Sequence, residues 1–135
     1  MLYQCDVSGD SMGSVIRAFW RVRTATESAR AMAERLARGA DAERERLDTA
    51  IKAAATHWRL DRIAAVERNL LRLAAYELIM EPDTPASVVI DEAVEIAKRF
   101  GEAESPGFVN GVLDAIRRRE HISVDRTGDP AGGRK

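Results

Sequence analysis

The sequence is short of the residues that staple, break or flatten a small domain. One cysteine, Cys5, in 135 residues excludes an intramolecular disulfide. With only two distant histidines, His57 and His121, it leaves no zinc-ligand spacing. Four prolines and 5% aromatics are too few for a turn-dense sandwich or barrel. No apolar run approaches the roughly 18 residues of a membrane span, and no basic stretch followed by an apolar core marks an export signal. Charge of one sign is also missing: 21 Lys and Arg stand against 22 Asp and Glu, a formal net charge of −1. That balance excludes nucleic-acid binding by overall charge alone, so any such role must be local. Reducing, cytoplasmic surroundings fit these absences best.

What is present is 45% hydrophobic and 32% charged residues, rich in Ala, Leu, Arg and Glu, which implies an all-α domain. Residues 1–7 read as the closing turns of a helix that begins before Met1, stopped at Ser8-Gly9. A second helix, capped by Asp10 or Ser11, carries Met12, Val15, Ile16, Phe19 and Trp20 on one stripe. Thr24 or Thr26 opens a third, whose thin face of Met32, Leu36 and alanines runs to Gly39 and implies close helix approach. Asp41 caps a fourth, reaching Trp58, with Leu47, Ile51, Ala54 and Ala55 inward. From Leu60 to Met80 the pattern is apolar nearly all round, which places that helix in the middle of the fold. Pro82 and Pro85 end it; Thr84 and Pro85 cap and start the next, with Val88, Val89, Ala93, Ile96, Ala97 and Phe100 on its face and a left-handed cap expected at Gly101. Ser105-Pro106 starts the last, with Phe108, Val109, Val112, Leu113 and Ile116 inward and Arg117, Arg118 and Arg119 in its final turn. The expected organisation is one domain over residues 1–122 and a flexible polar tail over 123–135.

No phosphate loop, metal motif or nucleophile elbow is present, so no enzyme activity and no cofactor are expected. The ordered strings Leu60-Asp61-Arg62-Ile63, Val66-Glu67-Arg68, Leu71-Arg72-Leu73-Ala74 and Tyr76-Glu77-Leu78 carry a resemblance. So do Ile90-Asp91-Glu92-Ala93-Val94-Glu95-Ile96-Ala97-Lys98, Phe100-Gly101 and Phe108-Val109-Asn110-Gly111-Val112-Leu113-Asp114. Together with Leu2-Tyr3-Gln4 they resemble the NusB transcription antitermination factors over residues 1–119. Asp91 departs mildly, standing where that family commonly has Asn.

The resemblance implies a compact helical bundle of two packed subdomains, about 1–58 and 59–122. It implies a factor that binds boxA RNA of ribosomal RNA transcripts together with NusE, a small-subunit ribosomal protein, within the antitermination complex on RNA polymerase. The family's arginine-rich stretch before Leu-Tyr-Gln is absent, which would weaken RNA binding and leave apolar surface that favours a homodimer.

Residue by residue, the resemblance puts Tyr3, Arg72, Lys98, Glu104, Phe108 and Asn110 at the RNA surface. Tyr3 and Phe108 would offer rings to bases, Arg72 and Lys98 cations to phosphates. By spacing alone Phe108 is equally a core residue, Asn110 a backbone brace, and Arg72 a side chain snorkelling to a carboxylate such as Glu77. The NusE surface falls on Glu67, Tyr76 and Phe100, where the plain alternatives are a solvated glutamate and a core aromatic. Two other classes stay open: an RNA-positioning domain of a ribosomal RNA methyltransferase, and a protein-only module that pairs with itself.

Overall fold

The structure, a computed structural model, describes residues 1–13, 16, 26–55 and 63–123, and of Phe100 the backbone alone. Among these residues the elements are six helices: α1 Leu2–Ser8, α2 Glu27–Ala42, α3 Arg44–Ala54, α4 Ala65–Met80, α5 Ala86–Phe100 and α6 Ser105–Arg119. No described helix is long and apolar enough to cross a membrane.

α1 ends where the sequence expects, because Gly9 adopts φ 79° and its amide closes on the Cys5 carbonyl. Met12 and Ile16 are buried as their spacing implies, whereas Val15, Phe19 and Trp20 lie outside the described residues. Thr26 caps α2, its Oγ1 accepting from the Ala29 N–H at 3.1 Å.

Several expected boundaries move: α3 closes at Ala54 and not at Trp58, α4 starts at Ala65 and not at Leu60, and α5 starts at Ala86 with Pro85, not Thr84, at its cap position. Gly39 does not stop α2: it lies within the last turn of the helix, and a Cβ there would run into the Tyr76 hydroxyl and ring, so glycine serves close packing of α2 on α4. Asp41 is accordingly inside α2, and the break falls at Glu43, whose amide donates to the Gly39 carbonyl at 3.1 Å. Gly101 is extended, at φ −108° and ψ −179°, and not left-handed. Its amide still closes α5 on the Ala97 carbonyl, and Ser105 Oγ accepts the next N–H, from Glu102, so the chain turns without a positive φ.

α4 is the central element, packed against α1, α2, α3, α5 and α6. It buries Leu70, Leu71, Ala74, Ala75 and Leu78, the all-round apolar pattern that its sequence carries. The larger core adds Leu47 and Ile51 from α3, Val89, Ala93 and Ala97 from α5, and Val109, Leu113 and Ile116 from α6. A smaller core joins Cys5, Met12, Ile16 and Ala37 beneath α1. α5 turns less of its stripe inward than expected: Ile90 is buried, while Val88 and Ile96 are exposed. Ala86, Val89, Ile90, Ala93 and Ala97 recur at helical spacing, while Ile96 sits to one side of that line and Val88 on nearly the opposite face. The junction between the two expected subdomains and residues 124–135 of the expected tail lie outside the described residues.

Candidate RNA and partner surfaces

α1 is held on the body by a carboxylate that sequence reasoning did not single out. Asp6 accepts from Arg68 Nε at 2.9 Å, Asn69 Nδ2 at 2.8 Å and an Arg72 guanidinium nitrogen at 3.1 Å, all on α4, and from Arg44 at 3.4 Å. Burial by itself pushes the Asp6 carboxyl up, but the hydrogen bonds from Asn69 and Arg68 and the charges of Arg68 and Arg72 outweigh it and hold the group below its usual range. The legible signal was three polar residues, Arg68, Asn69 and Arg72, crowded within five positions of a mostly apolar helix.

Arg72 is therefore a correction to the sequence expectation. Its side chain is 6% exposed and bonds Asp48 of α3 in bidentate fashion at 2.7 and 3.0 Å, in addition to Asp6 and Asn69. Those carboxylates lie 24 and 66 residues away in the sequence, so Arg72 is turned inward to Asp48 and Asp6 and does not present its charge to solvent. Burial disfavours its charge, yet the hydrogen bonds and charges of Asp48 and Asp6 win and raise its pKa further.

Tyr3 is 45% exposed. It lines an open apolar groove of about 570 Å³ between α1, α2, α4 and α5, with Met32, Val66, Leu73 and Ile96. An exposed aromatic ring is a group on which an unpaired base can stack.

A separate depression of about 270 Å³ joins residues the sequence had divided between two partners. Glu67, Glu104 and Phe108 line it together with Ile63, Glu102 and Ser105. Ser105 Oγ donates to Glu67 Oε2, and burial first, then the neighbouring charges of Glu102 and Glu104, push the Glu67 carboxyl up. Phe108 packs partly into the core and keeps part of its ring outward. Three carboxylates beside an apolar wall repel phosphate and suit a cationic side chain or a base amino group.

The remaining expected residues are scattered. Lys98 is exposed and bonded to Glu95 at 3.0 Å; Asn110 is exposed on α6. Tyr76 is half-buried against the core and Gly39, which gives it a packing role whatever else it touches. Phe100 ends α5, and its side chain lies outside the described residues. No group of three potential metal ligands occurs among the described residues.

The NusB family model matches residues 1–118. The transcription antitermination protein NusB of Sorangium cellulosum is 46% identical over 116 residues, covering 86% of this chain and 83% of that protein. Its counterpart in Anaeromyxobacter dehalogenans strain 2CP-1 / ATCC BAA-258 is 45% identical over 116 residues, covering 85% and 81%. Among solved structures, T. maritima NusB superposes with a TM-score of 0.78 at 38% identity, covering 87% of this chain and 82% of that one. A chain from the crystal structure of antitermination factors NusB and NusE in complex with dsRNA gives a TM-score of 0.78 at 30% identity, covering 87% and 88%. An all-helical fold built on a central α4, and agreement of sequence over nearly its whole length, give one conclusion: the chain belongs to the NusB family.

Proposed function

We propose that the chain is a transcription antitermination factor that binds RNA jointly with NusE and has no chemistry of its own. One observation carries this reading: the likeness, at 30% identity over 87% of the chain, to a protein crystallised with NusE and RNA. In this reading the RNA is the boxA element of ribosomal RNA transcripts, and the assembly joins RNA polymerase in the cytoplasm. Two weak contacts made by one adaptor become a single tight one through effective concentration. Tyr3 offers its ring to a base, Lys98 its charge to a phosphate, and Asn110 its amide to either. The acidic depression of Glu67, Glu104 and Phe108 serves the boundary between the two partners, taking a basic side chain of NusE at Glu67 and a base donor at Glu104. Tyr76 and the Phe100 position flank the NusE side. Arg72 acts from beneath, by holding α1. The test is co-migration of the chain, NusE and a boxA-bearing RNA as one species; RNA migrating apart from the two proteins would overturn the reading.

The apolar groove favours a second reading, a module that pairs with its own copy, since exposed Met32, Val66 and Ile96 beside Tyr3 form surface that water disfavours. Light scattering separates the two: a constant monomer mass across concentration sinks self-pairing.

A further inference from the structure

Among the described residues, α1 has little apolar anchorage. It is seven residues long, no side chain caps it, and only Cys5 is buried within it. A helix of this length does not persist unless tertiary contacts hold it. Leu2 packs partly against both cores, but Tyr3 and Val7 are exposed. The concentrated contact is Asp6, whose carboxylate meets Arg68, Asn69 and Arg72 of α4 and Arg44 of α3. Arg72 is itself clamped by Asp48, so the arginine that receives Asp6 is held from behind. Tyr3 lies one helical turn before Asp6 and shares the groove lining with Asn69, one of the Asp6 partners.

We propose that Asp6 is the positioning residue that seats α1 on α4 and so fixes the Tyr3 ring at the rim of the apolar groove. The consequence for RNA rests on the RNA-binding reading above; the seating of the helix does not. Asp6 touches no RNA. It acts by holding the backbone from which Tyr3 projects, and a charge is required because three guanidinium groups converge on it.

The experiment compares Asp6→Asn, Tyr3→Ala and the double variant in the full chain. Hydrogen exchange is read at the Cys5 and Gly9 amides, which close on the Met1 and Cys5 carbonyls. RNA affinity is read by anisotropy with a boxA oligonucleotide in the presence of NusE. Asp6→Asn is expected to speed exchange of those amides at least ten-fold and to weaken RNA binding roughly ten-fold, the scale of one lost base stack. The salt slope is expected to stay unchanged, because no phosphate contact is removed. The double variant is expected to bind no worse than Tyr3→Ala alone. Should Asp6→Asn fold poorly, Arg68→Gln removes one donor and is expected to speed the same amides by a smaller factor. Unchanged exchange in both variants overturns the proposal. So do additive losses of RNA affinity, which would show Asp6 acting apart from Tyr3. If the wild-type chain itself retains no RNA, the functional reading fails, and the exchange comparison alone decides whether Asp6 seats the helix.

Discussion

A guanidinium as deeply placed as that of Arg72 stays folded only while its carboxylates stay charged, because a buried charge without partners costs far more than a surface pair contributes. Asp48→Ala leaves that cation half-satisfied, and the expected loss is about 3–5 kcal/mol, read as a lower urea midpoint at an unchanged slope. Acid probes the same cluster. The Asp6 carboxyl is held low in the folded protein, so its stabilisation is complete above the ordinary carboxylate range and is lost as pH falls through that lower folded value. Glu67 has the opposite sign: its raised pKa contributes stability on the acid side that disappears as pH rises through the raised value. Thermal melts from pH 7 to 3 are therefore expected to show a shallower acid loss in Asp6→Asn than in the parent. At the proposed partner surface, Glu67→Lys is expected to weaken NusE binding at least ten-fold by calorimetry while the chain still melts cooperatively at neutral pH; equal affinity would remove Glu67 from that interface. The sequence marked Arg72 as an interruption of an apolar helix. It did not mark Asp6 or Asp48, because pairing over 66 and 24 residues leaves no trace in local periodicity.

Helices were legible where an apolar stripe met a long, consistent period. α4 reads as central from its sequence because it buries side chains around most of its circumference, and it does so in the fold. The ends were less legible. Glycine at 39 has the look of a stop signal, but its lack of a side chain serves packing, and only the position of Tyr76, 37 residues later, reveals this. Gly39→Ala is expected to cost about 1–3 kcal/mol by overpacking, more than the helix propensity that alanine restores, with part of the loss recovered by Tyr76→Leu in the same chain. Chemical denaturation of the two single variants and the double measures that coupling. At Gly101 the Ser105 hydroxyl completes the turn, a bond from the following helix that a local reading of glycine as a left-handed cap does not include. On α5 the expected stripe was too wide, and its exposed members have different fates: Ile96 becomes groove surface while Val88 faces solvent.

For the molecule as a whole, the near-zero net charge limits where RNA can sit. With 21 basic against 22 acidic residues, and Arg44, Arg68 and Arg72 paired with carboxylates of the chain itself, the proposed function draws its affinity from local exposed groups together with a second protein. The sequence made the family readable through ordered strings, above all Phe108 to Asp114, where composition alone pointed only to helices. The candidate site was legible only as separate residues: Glu67, Glu104 and Phe108 were marked one by one, but their convergence on a single acidic depression needed the packing of α4 against α6. Joint recognition of RNA and NusE is most directly tested by titrating the chain into a labelled boxA RNA at fixed salt, with and without NusE. Retention of RNA at least ten-fold tighter when NusE is present, lost again when the boxA sequence is scrambled, is the expected result. Equal RNA affinity with and without NusE would contradict it.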